Sequence, residues 1–133
     1  MKHLLLGSFI VFLAFSLAVS ARAHHSLATE FDPRQPITFT GRVTKVEWMN
    51  PHIYLHVDVK DTLGRMTRFA VQVGSPNALS RQGWNKQSLK AGDVVTVFGY
   101  RARDGWNHLI GQDITTSNGQ KVFVGRPEYA AHN

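Results

Sequence analysis

Two adjacent histidines, His24 and His25, directly follow a segment that has the pattern of an export signal. Cleavage after Ala23 would make His24 the first residue of the mature chain, where its α-amine and its ring Nδ1 can chelate one metal ion. A further imidazole would complete an open set of three nitrogen donors, which suits Cu(II). The sequence therefore predicts a copper site. Its candidate ligands are His24, His25, His52 and His108, with His52 preferred as the imidazole from the folded body.

The export signal has the three usual parts. A short basic start and an apolar run over residues 4–19 precede the small-residue pattern Ala21-Arg22-Ala23. Because a membrane-spanning helix needs roughly 20 apolar residues, we expect cleavage rather than a stable membrane anchor, and a periplasmic or secreted mature protein. Cleavage after Ala21 instead would make His24 the third residue, which binds copper through backbone amides without His52.

The mature chain of 110 residues is long enough for one domain with a small core. The whole chain has no cysteine, so disulfides cannot stabilise it. Without Lys2 and Arg22 the chain keeps 13 basic and 9 acidic residues, a net charge of +4, and these charges are scattered. A scattered charge is typical of a solvated surface. We therefore expect no nucleic acid partner, but a metal ion or a small envelope ligand.

Apolar residues recur at every second position along most of the mature chain, which predicts strands. From Ile37 to Val43 the apolar set keeps one parity, and it then shifts to Val46 and Trp48, which indicates a β-bulge near Thr44 and Lys45. The second strand follows Asn50-Pro51. Its two faces are Ile53, Leu55, Val57 and Val59 on one side, and His52, Tyr54, His56, Asp58 and Lys60 on the other.

The remaining pattern predicts a turn at 61–64, further strands over 65–73, 94–100, 108–115 and 121–124, and one helix over 77–82. Ser75 fits the N-cap of that helix, and Pro76 fits its first position.

The order of these elements predicts a mainly β fold. It is a small five- to six-stranded Greek-key barrel of the oligonucleotide/oligosaccharide-binding (OB) type, with one short helix between strands 3 and 4. A generic β-sandwich or roll is the alternative. The expected organisation is a cleaved signal over 1–23, an extended segment over 24–36, the barrel over 37–126 and a loose tail over 127–133.

A second set of residues predicts a metal-free alternative function. Four side chains are candidates for a ligand-binding face: Tyr54, His56, Tyr100 and Trp106. They would hold an envelope glycan, a small ligand or a protein partner. His52 and His56 share this side of the second strand about 13 Å apart, so they cannot bind one ion together without bending.

Catalysis has little support in the sequence. No phosphate-binding loop, H-E-x-x-H pattern or calcium loop occurs, and Ser26 beside His25 is not a nucleophile arrangement. A non-enzymatic binding module is therefore expected, and a copper oxidase acting through the chelate is the weaker alternative.

Several segments together resemble a family of small exported bacterial proteins, domain of unknown function 6152. They are His24-His25-Ser26, residues 40–48, Asn50-Pro51-His52, residues 74–77, Gly83-Trp84 and residues 89–95. The resemblance implies a shared His-His-Ser start of the mature chain, and it implies no activity. After the Asp-Gly turn the family often has Asn-Arg, whereas this chain has Trp106-Asn107-His108. A ligand contact from that loop would therefore be particular to this protein.

Overall fold

The computed structural model describes residues 29–125. The chain divides into two compact units, residues 1–30 and 31–133, and the second unit contains all the elements considered below. Its elements are β1 (Phe31–Glu47), β2 (Tyr54–Lys60), β3 (Met66–Gln72), α1 (Pro76–Arg81), β4 (Val94–Ala102), β5 (His108–Thr116) and β6 (Lys121–Val124).

The strands form a closed barrel. The sheet order is β3-β2-β1-β4-β5-β6, and β3 also pairs with β5 in parallel. That additional pairing closes a ring of five strands, from which β6 extends along the second half of β5. This is the connectivity of a small Greek-key barrel of the OB type, with α1 between β3 and β4. The predicted fold class is confirmed.

Strand β1 serves both sides of the barrel because it bends. Its first part pairs with β4 as far as Arg42, and its second part pairs with β2 from Arg42 onward. The register shifts between Val43 and Lys45, where the change of parity predicts a bulge. Gly41 lies just before this bend, and a Cβ there would come 2.6 Å from the carbonyl oxygen of Asp58. The bend therefore requires a residue without a side chain.

Strand β1 begins six residues earlier than the sequence pattern predicts. Phe31 already pairs with Ala102, and the register is regained only where Pro36 pairs with Tyr100. Four residues therefore lie in a bulge between two paired positions. This bulge interrupts the alternation of apolar and polar residues that marks a strand in the sequence. The segment from Phe31 to Pro36 therefore belongs to β1, which starts at Phe31 and not at Ile37.

Helix α1 begins and ends where its sequence signals indicate. Ser75 accepts a hydrogen bond from the Ala78 amide at 3.2 Å, and Pro76 occupies the first turn. Leu79 is fully buried, and Gly83 has φ of 89°, which favours glycine. The chain then continues to Trp84, whose ring meets Phe123 edge-on and whose indole N–H donates to the Val122 carbonyl. The helix thus fastens one end of the barrel to β6.

The core lies inside the barrel and consists of the inward positions of all six strands, together with α1 and the segment after it. Its fully buried members include Leu55, Val57, Val71, Val95, Val97, Leu109 and Ile114. Apolar burial is the main source of stability here, because the chain has no disulfide.

Two leucines provide a matched test of this core. Replacing the fully buried Leu55 by alanine should lower the free energy of unfolding by about 2–5 kcal/mol, because it leaves a cavity. The same change at Leu63, which is 76% exposed in the turn after β2, should alter it by less than about 0.5 kcal/mol. Urea unfolding of both variants measures the difference, and similar losses would contradict the described packing.

Candidate functional site

The predicted metal ligands divide into two groups. His24 and His25 lie outside the described residues. His52 and His108 are described, and each is half-buried. His52 directly precedes the Ile53 backbone, which exchanges hydrogen bonds with Val73 and Gly74 just beyond β3. His52 therefore lies at the end of the barrel where β1 ends and α1 begins.

His56 points away from the core, as the alternation along β2 predicts. Its Nε2 lies 3.0 Å from Oε2 of Glu47 on β1, and Lys45 holds the other carboxylate oxygen. These two hydrogen bonds, with that from Lys45 the stronger, hold the pKa of Glu47 below its usual range. His56 is therefore held on the outside of the barrel, beside the ion pair of Lys45 and Glu47.

The closure of the barrel places His56 and His108 in one row. Ala70 on β3 pairs with His56 on one side and with His108 on the other. Paired residues point to the same face, so both imidazoles stand on the outer surface with only the Ala70 methyl group between them. Two strand spacings separate their Cα atoms, which is about 10 Å. The sequence gives no sign of this row, because β3 and β5 are far apart in the chain.

His108 lies where β1 begins. Its ring meets Phe31 edge-on with 5.0 Å between ring centroids, and its Nδ1 lies 3.9 Å from Oδ2 of Asp104. Phe31 is fully buried, so this contact holds the start of the barrel chain against β5. The imidazole is thus held between the first strand and the loop that precedes its own strand.

Asp32 joins the bulge of β1 to the loop after β4. Its carboxylate accepts hydrogen bonds from the amide and side chain of Arg34 and from Gln35, and it lies 3.3 Å from Arg103. Chiefly through the Arg34 hydrogen bonds, its pKa falls from the usual 3.8 to about 2. Sequence analysis missed this residue. Its signal was the Asp-Pro-Arg-Gln run, which supplies an acceptor and donors within a tight turn.

The four predicted ligand-face residues differ in exposure. Tyr54 donates its hydroxyl hydrogen to Oε1 of the buried Gln72 at 3.0 Å, and His56 bonds to Glu47. Tyr100 is only 5% exposed and meets Phe98 edge-on. Trp106 is 75% exposed. Of the four, it is the side chain most open to a ligand.

The loop that carries Trp106 has a defined shape. Oδ1 of Asp104 accepts a hydrogen bond from the Trp106 amide at 2.9 Å, and Gly105 has φ of 79°. The Asn107 carbonyl accepts a hydrogen bond from the amide of Ala70, which attaches the loop to β3. A depression of about 260 Å³ is lined by Asp104, Gly105, Trp106 and Asn107. Sequence analysis recognised the Asp-Gly turn and singled out Trp106, but it did not name Asp104 or Asn107 as candidate site residues.

Within residues 29–125 no group of three or more histidine, aspartate or glutamate side chains is placed to hold a metal ion. In the same part of the chain, no helix has both the length and the apolar character needed to cross a bilayer.

Together, the fold and the site define a small Greek-key barrel with a polar outer surface and one short helix at its end. The chain belongs to the Family of unknown function (DUF6152), whose model matches residues 13–111. No curated protein matches the sequence.

Two solved structures are similar to this barrel. Mitochondrial single-stranded DNA-binding protein Rim1 from S. cerevisiae is 12% identical, with a TM-score of 0.47 over 65% of this chain and 97% of that one. The N-terminal domain of PriB from Thermoanaerobacter tencongensis is 18% identical, with a TM-score of 0.47 over 62% of this chain and 96% of that one.

The lowered pKa of Asp32 predicts a pH-dependent effect of Asp32→Asn. Above about pH 4 the carboxylate is charged whether the chain is folded or unfolded, so its hydrogen bonds fully stabilise the fold. As the pH falls from about 4 to about 2, the unfolded chain takes up a proton on this carboxylate before the folded chain does, so that contribution is lost progressively. The variant should therefore melt below the wild type at pH 7, and the two melting temperatures should converge towards pH 2. A gap that stays constant from pH 7 to pH 2 would contradict this role.

Proposed function

We propose that the processed protein is an exported, non-enzymatic binding module that holds Cu(II) through its first residue, His24. The α-amine and Nδ1 of that histidine would form the chelate, and one imidazole of the barrel would be the third donor. The cleavage pattern directly before His24-His25 supports this proposal, because only processing creates the amine.

The contact between Phe31 and His108 supports His108 as the third donor. Seven residues lead from His24 to Phe31, and an extended chain of that length spans at most about 24 Å. Since the Phe31 ring touches the His108 ring, this length of chain would be enough for His24 to reach the imidazole. The single observation that carries the choice of ligand is therefore the position of His108 at the start of β1.

His52 fits this role less well. It lies beside Gly74, four positions along β3 from Ala70, and so about 13 Å from the row that contains His108. The amino-terminal segment would have to extend along the barrel to reach it. In the proposed site His108 is accordingly the barrel ligand, and His52 and His25 are the alternates.

Asp104 would support His108 in the proposed site. Its Oδ2 lies 3.9 Å from Nδ1 of the imidazole, which is an ion-pair distance and not a hydrogen bond, and this would leave Nε2 to bind the metal. A carboxylate on the other ring nitrogen orients a histidine ligand and makes it more basic, and loss of such a partner commonly costs about 10- to 100-fold in affinity.

Copper titration of correctly processed protein tests the proposal. Its matched control is the same protein with one additional amino-terminal residue, which moves the amine away from His24. We expect at least about a tenfold loss of affinity in the extended protein and in His108→Ala, and little change in His52→Ala. Intact mass confirms the first residue of each sample.

Three outcomes separate the alternatives. Equal affinity of the processed and extended proteins would overturn the amino-terminal chelate. Loss in His52→Ala but not in His108→Ala would keep the chelate and exchange its barrel ligand. A mature chain that begins at Arg22 and binds copper independently of both histidines would place His24 as a third-position ligand instead.

A further inference from the structure

We propose that the loop around Trp106 binds a neutral oligosaccharide, independently of the copper site. The described residues contain four large apolar side chains that are exposed, and Trp106 is the largest of them. A flat aromatic ring in water is a stacking surface for the apolar face of a sugar ring. The proposal concerns a different ligand and a different chemistry from those of the amino-terminal histidine, although Asp104 both lines this depression and lies beside His108.

The backbone of the loop that carries Trp106 is held by hydrogen bonds. The hydrogen bond from the Trp106 amide to Asp104 closes the turn, and the His108 amide bonds back to the Trp106 carbonyl at 2.7 Å. On its far side the loop is attached to β3 through Asn107 and Ala70. A backbone held at both ends has little conformational entropy to lose when a ligand binds.

Polar groups surround the indole. The depression beside it, about 260 Å³, is also lined by Asp104 and Asn107. Pockets that enclose drug-sized ligands measure roughly 300–1,000 Å³, so this smaller, open one accommodates only part of a chain-like ligand, such as one sugar ring. A carboxylate and an amide together both accept and donate hydrogen bonds, as sugar hydroxyls require.

A second polar group continues the surface across β3 and β2. Arg68 lies two residues before Ala70 on β3, and its guanidinium donates two hydrogen bonds of 2.6 and 2.9 Å to Asp58 on β2. The Arg68 side chain remains 60% exposed. Its other N–H groups and the carboxylate can therefore meet hydroxyls of a neighbouring sugar unit. The face of strands 2 and 3 and the loop between strands 4 and 5 are where OB barrels bind such polymers.

The charges on this side favour a neutral ligand over a nucleic acid. Two arginines near the loop already face a carboxylate, Arg68 with Asp58 and Arg103 with Asp32, and Arg101 lies over the Phe69 ring. Asp104 adds a negative charge within the loop, where its Oδ1 accepts a hydrogen bond from the Trp106 amide. Phosphate binding depends on basic side chains that neutralise the polymer, and here the guanidinium groups of Arg68 and Arg103 are already engaged within the protein.

The indole N–H signals of the three tryptophans provide a direct test by NMR. Cellohexaose, maltohexaose and chitohexaose are titrated into the processed protein with a metal chelator present, and single-stranded oligo-dT is titrated in parallel. We expect at least one sugar to shift the Trp106 signal, with a dissociation constant in the millimolar range or below. The Trp48 and Trp84 signals should not move, because both indole nitrogens are buried or bonded within the protein.

Three variants make the test specific. Trp106→Ala should weaken sugar binding at least about tenfold, and Trp106→Tyr should restore most of it, because tyrosine retains an aromatic face. Leu63→Ala removes another exposed apolar side chain outside the depression and should have no effect. For Trp106→Ala and Leu63→Ala, unchanged urea unfolding shows that the fold is intact.

The proposal is overturned if none of the three sugars shifts the Trp106 signal at millimolar concentration. It is also overturned if oligo-dT shifts that signal more strongly than the sugars do, or if Leu63→Ala weakens sugar binding as much as Trp106→Ala does. Copper affinity is measured separately, without chelator. A failure of sugar binding can therefore be told apart from a failure of copper binding at the amino-terminal histidine.

Discussion

The parallel pairing of β3 with β5 is the constraint on which the rest of the molecule depends. Three residue pairs, from Ala70 with His108 to Gln72 with Ile110, turn a twisted sheet into a closed barrel. The same pairing brings the outward imidazoles of His56 and His108 to the two sides of Ala70 and attaches the Trp106 loop to β3. Both proposed sites therefore depend on the same short ladder, although their chemistry differs. A change that weakened this ladder would disturb both together.

Local patterns predicted the elements well, because each depends on neighbours in the chain. The period of two marked the strands, the change of parity marked the bulge after Val43, and Ser75-Pro76 marked the start of α1. The start of β1 at Phe31 was not predictable in this way, since the bulge before Pro36 interrupts the period. The position of His108 was also hidden from sequence analysis, because only a pairing across a long stretch of chain brings it beside Phe31.

The pairing of charged side chains near the candidate site was likewise not predictable from the sequence. In the sequence the basic residues appear scattered and exceed the acidic ones, which indicates only a solvated surface. In the folded chain Arg65, Arg68 and Arg103 each lie beside a carboxylate. The Arg65 pair lies within one turn, and the Arg68 pair lies across one hairpin. These pairings depend on turn geometry and strand register, so a count of charges in the sequence could not show which arginines have a carboxylate partner.

The double role of β1 has a consequence for the order in which the barrel can assemble. The second half of β1 pairs with β2, which is the next strand in the chain, whereas the first half pairs with the more distant β4. The barrel closes only when β5 pairs with β3. Such distant pairings are slow to form, because the loop-closure entropy must be overcome first. A chain that emerges from its amino end can therefore form only the β1–β2–β3 meander at first, with one edge open on each side. Commitment to the folded state comes late, after nearly the whole chain is present.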